Sequence, residues 1–153
     1  MDLEEQYDKL FRYCYFKLYD KQLAQDMTQE TFLRYYSRNI RLENGKELAY
    51  LYTIAKNLCA DAFRQRPLFP LEDAEEAVSP DAAEDLINSL TLRAALTKLP
   101  QEEQELLFLR YVNELPLAAI CKMTGMSRFA IHRRLTKAVR QLKETLAKEG
   151  YSE

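Results

Sequence analysis

Apolar side chains recur at intervals of three and four along almost the whole chain, and this spacing restricts most strongly how it can fold. Leu3, Tyr7, Leu10, Cys14 and Leu18 form one such series near the start. Residues spaced in this way line one face of an α-helix, whereas apolar residues of a half-buried strand alternate. Only three of the 153 residues are glycine, too few for a chain built from many tight turns. The pattern predicts an all-α fold.

The helical spacing falls into two stretches. The first predicts helices over 3–18, 21–36 and 47–66, with the pair Asn44-Gly45 as a turn before the third helix. The second predicts helices over 86–98, from Pro100 with Leu106, Leu109 and Val112 on the inner face, from Pro116, and after Ser127. The last and longest of these is expected to bury Ile131, Leu135, Ala138, Leu142 and Leu146.

Residues 67–85 differ in composition from the stretches on either side. Three prolines alternate with seven acidic residues, and no basic residue lies among them. Such a segment buries little apolar surface and repels itself, which favours an extended tether. The sequence therefore predicts two small helical domains, 1–66 and 86–150, joined by an acidic flexible linker over 67–85.

The charge is nearly balanced overall but very uneven along the chain. Lys and Arg number 22 against 24 Asp and Glu, giving a net charge of -2. Within 127–143, however, there are six basic residues and no acidic one. A phosphate responds to charges within about a Debye length, ~8 Å at physiological salt, so a local basic block favours binding to a polyanion despite the balanced total.

That basic block lies on the second helix of a predicted helix-turn-helix. Thr124-Gly125-Met126 separates a short amphipathic helix from the long final one, Gly125 suits a left-handed backbone, and Ser127 can cap the second helix. With Ile131 and Leu135 inward, the outer face carries a set of polar, basic and aromatic side chains. The candidate base-edge contacts are Ser127, Arg128, His132 and Arg133, with Phe129 beside them; the candidate phosphate contacts are Arg134, Lys137 and Arg140.

Several motifs together resemble a known family. They are Gln25-Asp26-Met27-Thr28-Gln29-Glu30-Thr31-Phe32-Leu33-Arg34, Tyr50-Leu51-Tyr52-Thr53-Ile54-Ala55-Lys56-Asn57 with Asp61, and the segment from Thr124 to Leu135. In this order, around an acidic tether, they resemble the extracytoplasmic-function (ECF) group of sigma-70 factors of bacterial RNA polymerase. Two departures are that Tyr50 stands where the family usually has Trp, and that Leu117-Ala118-Ala119 replaces a frequent Glu pair.

The resemblance implies partners and a role for each motif. It implies that the chain binds core RNA polymerase, through the clamp of the largest subunit and the flap, and directs promoter-specific initiation. It also implies a melted single strand at the −10 element, duplex DNA at the −35 element and an anti-sigma protein as partners. The residues carried over are Asp26, Gln29, Glu30 and Arg34 for the polymerase, and Tyr50, Lys56, Asn57 and Asp61 for the −10 strand, with Tyr52 and the loop Arg41–Lys46 beside them. Tyr52 lies on the apolar stripe, which favours a place in the core.

The sequence lacks the motifs of other functional classes. The chain has no Gly-rich phosphate loop and no nucleophile with a nearby His, so no enzymatic activity is predicted. Cys14, Cys59 and Cys121 are far apart and His132 is the sole histidine, which argues against a metal site or another cofactor. No apolar run approaches the ~20 residues of a membrane span, and the acidic start is unlike a signal peptide, so a cytoplasmic location is predicted.

Two alternatives remain open from the residues alone. A helix-turn-helix transcriptional activator would bind duplex DNA without being a polymerase subunit, but it leaves the motifs at 26–34 and 50–61 without a role. A helical adaptor would use the basic tail to bind an acidic protein. A DNA titration against salt separates the last of these, because DNA binding weakens steeply as counterions are released.

Overall fold

The structure, a computed structural model, describes residues 2–38, 44–65 and 92–148. The described residues contain six main α-helices and no strand, which confirms the all-α fold. The helices are α1 (Leu3–Leu18), α2 (Lys21–Tyr36), α3 (Asn44–Gln65), α4 (Gln101–Leu107), α5 (Leu117–Thr124) and α6 (Arg128–Lys148). A π-helical turn, Phe108–Val112, follows α4 directly, and residues 92–96 are also helical.

The described residues group into two compact units. Residues 2–38, 44–65 and 108–131 form the first unit, and residues 92–107 and 132–148 form the second. The predicted linker, 67–85, lies outside the described residues, and the domain boundaries stay a prediction. Within the described part of the chain, no helix is long and apolar enough to cross a membrane.

Helices α1, α2 and α3 pack against one another in the first unit. Leu10, Cys14 and Leu18 of α1 are buried, as are Leu51 and Ala55 of α3. Leu10, Cys14 and Leu18 were predicted from the three-and-four spacing, and burial of each Leu contributes about 1.5–3 kcal/mol. The Asp2 side chain caps α1 by accepting a hydrogen bond from the main-chain nitrogen of Glu5 at 2.8 Å. The three amphipathic helices therefore form the predicted small bundle.

Two local predictions were wrong. Asn44 and Gly45 form the first turn of α3 rather than a separate turn; the cost of Gly is smaller in a helix's first turn than in its interior. Val112 is 51% exposed instead of facing inward. The π-helical turn inserts an extra residue into the helical register, so Phe108 and Leu109 turn inward and Val112 turns out.

The π-helical turn also places Asn113 in the interior of the first unit. Its main-chain nitrogen donates to the oxygen of Phe108, five residues earlier, at 3.0 Å. The Asn113 side chain has no solvent exposure, and its Nδ2 donates to the main-chain oxygen of Lys9 at 3.0 Å and to the Tyr52 hydroxyl at 2.7 Å. Its Oδ1 accepts from Arg12 Nε at 3.0 Å, and Lys9 Nζ donates to its main-chain oxygen at 2.6 Å. A residue of the second predicted domain is thereby bonded to α1 and α3.

Tyr52 is in the core, as its place on the apolar stripe predicted. It is 3% exposed, and its ring packs edge-on against Tyr13 with the centroids 5.3 Å apart. Burial raises the pKa of Tyr52 well above its usual range, although the hydrogen bond from Asn113 opposes the shift. The folded protein therefore holds this phenol neutral at a pH at which the unfolded chain ionises it.

Alkaline pH should destabilise the protein through Tyr52. Because the pKa of Tyr52 is raised in the folded state, its contribution to the free energy of unfolding is fully present below the unfolded pKa of about 10. That contribution is lost as the pH rises above this value. Between pH 8 and pH 10.5 we expect Tyr52 to contribute a loss of about 1 kcal/mol or less in the free energy of unfolding. Urea unfolding of the wild type and Tyr52→Phe at both pH values measures this loss. Equal pH dependence of the two proteins would contradict the prediction.

Candidate polymerase-binding and DNA-binding surfaces

Helix α2 presents a polar outer face because its other face is packed against α1 and α3. Asp20 caps the helix by accepting from the Leu23 nitrogen at 2.9 Å. Two buried threonines remain satisfied on the inner face, since the Thr28 and Thr31 hydroxyls donate to main-chain oxygens one turn earlier, each at 2.7 Å. The residues predicted to bind polymerase lie on the opposite side: Asp26, Gln29 and Arg34 are exposed and Glu30 is half-buried.

The charged side chains of this face already have weak partners within the helix. Arg34 Nε donates to Glu30 Oε2 at 3.0 Å, and Gln22 Nε2 donates to Asp26 Oδ1 at 3.1 Å. The Arg34 and Glu30 side chains are 59% and 41% exposed, and such surface pairs contribute at most about 1 kcal/mol. A basic partner helix could therefore replace these contacts at little cost.

Leu33 lies in the middle of this polar face, and the sequence analysis did not identify it. At 100° per residue it projects between Gln29 and Asp26, one turn further along the helix, and it is 66% exposed. A signal was present in the sequence, because helical spacing places Leu33 on the same face as Asp26, Gln29 and Glu30. Tyr36, 54% exposed, follows it at the end of the helix. Leu33 and Tyr36 thus add exposed apolar surface to a face that is otherwise polar.

Helix α3 brings together most of the predicted −10 contacts. Asn57 and Asp61 follow Tyr50 by seven and eleven residues, so the three share one side of the helix, and Asn57 and Asp61 are exposed. Lys56 is also exposed, at the edge of the same surface. Asp61 forms an ion pair with Arg64 one turn later. Of the loop Arg41–Lys46, residues 41–43 lie outside the described residues.

The ring of Tyr50 is half-buried between two other side chains. It meets Tyr35 with the centroids 5.9 Å apart and an interplanar angle of 63°. The Arg38 guanidinium carbon lies 4.9 Å from the Tyr50 centroid, within the range of a cation–π interaction. A nucleobase stacking here would meet the Arg38 plane as well as the ring, and bases stack on both. Arg38, a residue outside every motif, was missed by the sequence analysis.

Helices α5 and α6 form the predicted helix-turn-helix. Gly125 has a φ of 78° and donates its N–H to the Cys121 oxygen at 2.8 Å, which confirms the left-handed turn. The Ser127 hydroxyl accepts from the Ala130 nitrogen at 3.1 Å and caps α6 as predicted. Ile120 and Ile131 are fully buried. The sequence of short helix, glycine turn and capped long helix is therefore present.

The outer side of α6 carries the predicted DNA contacts. With Ile131 and Leu135 buried, the side chains between them point outward, and Phe129 is 73% exposed at the start of the helix. The exposed members of the predicted set are Ser127, Arg128, Phe129, His132, Arg133, Lys137 and Arg140. Cationic and aromatic side chains at the N-terminal end of such a helix suit contacts with base edges and phosphates in a major groove.

Among the predicted contacts of α6, Arg134 has an acidic partner. Its Nη1 donates to Glu102 Oε1, which joins α6 to α4 in the second unit. This hydrogen bond raises the pKa of Arg134 further above its usual value. To bind a phosphate as predicted, Arg134 has to exchange the Glu102 carboxylate for it.

Two of the three cysteines lie in the interior of the first unit. The thiols of Cys14 and Cys59 are buried and not joined in a disulfide, and a hydrogen bond from Cys59 lowers the pKa of the Cys14 thiol despite its burial. Across residues 2–38, 44–65 and 92–148, no three His, Cys, Asp or Glu side chains form a group that could hold a metal ion.

Comparison with known protein families assigns both predicted domains to a single family. Sigma-70 region 2 matches residues 3–67, and sigma-70 region 4 matches residues 89–142. The chain belongs to the sigma-70 family, in its ECF group. Helices α1–α3 are thus its region 2, and α4–α6 with the π-helical turn are its region 4.

This sigma-70 family member is similar to characterised relatives along most of its length. It is 35% identical to the ECF RNA polymerase sigma factor BldN of Streptomyces coelicolor over 94% of this chain and 59% of that protein. It is 29% identical to the ECF RNA polymerase sigma factor SigW of Bacillus subtilis over 90% of this chain and 84% of that protein. Among solved structures, a 1.8 Å RsbN–BldN complex matches with 27% identity and a TM-score of 0.36, covering 92% of this chain and 86% of the matched chain.

Leu33 should contribute to polymerase binding by region 2. Burying an exposed Leu side chain against a partner contributes about 1.5–3 kcal/mol, so Leu33→Ala should weaken binding to core RNA polymerase about tenfold. Fluorescence anisotropy of the labelled protein with core polymerase measures the affinity. Leu3→Ala is the matched control, because Leu3 is 57% exposed on α1. Equal affinities of the two variants would show that Leu33 lies outside the interface.

Glu102→Gln should strengthen binding of region 4 to duplex DNA. The substitution removes the carboxylate that competes with phosphate for Arg134, so the slope of log affinity against log salt should steepen by about 0.9. Glu144→Gln removes the same charge from the exposed end of α6 and serves as the control. An unchanged affinity and slope relative to that control would show that the Glu102 carboxylate does not compete with phosphate for Arg134.

Proposed function

We propose that this chain is a sigma factor that binds core RNA polymerase and directs promoter-specific transcription initiation. One observation carries the proposal: the chain combines two distinct surfaces of opposite character. The outer face of α2 is acidic and amidic with an exposed Leu33, whereas α6 is basic, with no acidic residue before Glu144. The first suits a basic helix of a protein, and the second suits DNA phosphates.

The roles of individual residues follow from the surface on which each lies. Asp26, Gln29, Glu30 and Arg34 bind the clamp of the largest polymerase subunit. Tyr50, Lys56, Asn57 and Asp61 bind the melted strand of the −10 element, where aromatic stacking contributes ~1–3 kcal/mol per base. The exposed residues of α6, with Arg134, bind duplex DNA at the −35 element, and region 4 also binds the polymerase flap. Residues 1–66 and 86–150 are the two functional domains, joined by 67–85.

In this proposal the protein acts as an initiation factor and not as an enzyme. Its surfaces bind partners and do not catalyse a reaction. It acts in the cytoplasm, where polymerase and promoter DNA meet. An anti-sigma protein is proposed as a further partner on the resemblance to the ECF group. The solved BldN structure is itself a complex of that protein with RsbN.

The second candidate function is a helix-turn-helix activator that is not a polymerase subunit. The basic outer side of α6 fits it equally well. The α2 face favours the sigma factor, because an activator that binds only DNA gives no role to the exposed Leu33 and the carboxylates around it. Binding to core polymerase therefore separates the two candidates.

Run-off transcription with bacterial core polymerase and a pool of promoters tests the proposal. We expect run-off that depends on this protein and falls at least tenfold with Asp26→Ala/Gln29→Ala/Glu30→Ala, because the docking face is lost. Binding to duplex DNA should remain unchanged in this variant. Glu4→Ala/Asp8→Ala/Gln141→Ala removes two acids and an amide from exposed positions elsewhere and should leave run-off intact.

Tight duplex binding without co-migration with core polymerase would favour the activator. An affinity for DNA that is weak and independent of salt would point to the adaptor instead, because release of counterions makes phosphate binding strongly dependent on salt.

A further inference from the structure

Phe129 is the most exposed large apolar side chain among the described residues, with 73% of its surface accessible to water. It is the second residue of α6. The helix is capped by Ser127, whose hydroxyl accepts from the Ala130 nitrogen at 3.1 Å. This cap fixes the first turn of α6. The ring is therefore held at the end of the helix that a helix-turn-helix presents to base edges.

The position of Phe129 on α6 directs its ring away from the interior. Ile131 is fully buried, so its direction marks the inner side of the helix. Phe129 precedes Ile131 by two residues, which corresponds to a rotation of about 200° around the helix axis. The ring thus lies on the outer side of α6, where a partner can reach it.

The ring belongs to a strongly cationic stretch of the helix. Arg128 precedes Phe129, and Arg133 lies one turn further along the same side; both are exposed. The sequence has no acidic residue between Ser127 and Lys143. This excess of positive charge favours a polyanionic partner over a basic or an apolar protein surface. A role for the ring has therefore to be compatible with binding to nucleic acid phosphates.

Duplex DNA offers one kind of apolar group to a side chain in its major groove. All base pairs present hydrogen-bond donors and acceptors there, and thymine adds a methyl group at C5. A Phe ring cannot hydrogen-bond to the polar base edges, whereas it can pack against this methyl group. Insertion of an apolar wedge between bases is used by proteins that bind the minor groove. A recognition helix enters the major groove, so the methyl group is the contact that fits Phe129.

We propose that Phe129 recognises the C5 methyl group of a pyrimidine in the −35 duplex and thereby determines part of the promoter specificity of this chain. Thymine carries this methyl group in unmodified DNA, and 5-methylcytosine carries it in methylated DNA. The inference rests on the proposed function, because that function assigns α6 to the −35 element. It adds a base preference that the cations of α6 do not provide, since phosphate contacts carry no sequence information.

Selection from a pool of duplexes with a randomised segment identifies the sequence that the protein prefers. The full chain is used alone and in complex with bacterial core RNA polymerase. We expect the wild type to enrich thymine at a position where Phe129→Ala shows no preference. Phe63→Ala is the matched control, because it removes a Phe ring that is 56% exposed on α3. This control should keep the wild-type preference.

Replacing the selected thymine by uracil removes the methyl group and leaves the base pair intact. We expect the wild type to bind the uracil duplex about fourfold more weakly, the factor that corresponds to burial of one methyl group. Phe129→Ala should bind both duplexes equally well. A second pair of duplexes carries cytosine or 5-methylcytosine at the same position. Methylation should strengthen wild-type binding by a similar factor and leave Phe129→Ala unaffected.

The two pairs of duplexes distinguish the two sources of the methyl group. A uracil effect without a 5-methylcytosine effect would confirm recognition of thymine and overturn recognition of 5-methylcytosine. If the wild type binds its selected duplex but Phe129→Ala keeps the same ratio of thymine to uracil affinities, recognition of the methyl group is overturned and DNA binding by α6 stands. If that ratio is kept and Phe129→Ala also weakens binding to core polymerase without DNA, Phe129 is a protein contact instead.

Failure of the proposed function gives a different result. A chain that binds duplex DNA but not core polymerase is not a sigma factor, and the uracil comparison with the chain alone still decides whether Phe129 recognises the methyl group. A wild type that binds core polymerase but enriches no duplex in either form would overturn DNA binding by α6, and recognition of the methyl group with it.

Discussion

The buried amide of Asn113 is the interaction on which the packing of the first compact unit depends. An amide without partners in the interior costs about 1–3 kcal/mol, so each of its hydrogen bonds has to be made. The partners lie on α1 and α3, up to 104 residues away. Because Nδ2 and Oδ1 are satisfied only together, a sliding of residues 108–115 along α1 breaks several bonds at once. A fully satisfied polar network of this kind selects one arrangement among the many that apolar contacts alone permit.

The backbone around Asn113 is unusual in a way that this network explains. The π-helical turn before it departs from the regular helix, and Glu114 after it has a φ of 54°. A left-handed non-glycine residue costs of order 1–3 kcal/mol and persists only where its surroundings hold it. Here the bonds of Asn113 on one side and the fully buried Leu115 on the other supply that restraint. Local strain is therefore offset by long-range contacts.

The features that sequence reasoning found are those whose causes are local. Gly125 and Ser127 could be identified because a turn and a cap each depend on a few neighbouring residues. The exposed side of α6 followed from the spacing of Ile131 and Leu135. Asn113, by contrast, resembles an ordinary turn residue in the sequence, since Asn is common in turns. Hydrogen bonds to partners 61 and 104 residues away leave no periodic pattern from which they could be inferred.

The contacts at the candidate binding surfaces differ in kind from the hydrogen bonds of Asn113. Arg34–Glu30, Asp61–Arg64 and Arg134–Glu102 are exposed ion pairs, and pairs of this kind contribute little in water. A partner's charges can replace either member of such a pair with little loss. The bonds of Asn113 are buried, so breaking them exposes or orphans several groups together. A chain built in this way lets its outer surfaces exchange partners readily, while the buried amide holds residues 108–115 in one register on α1 and α3.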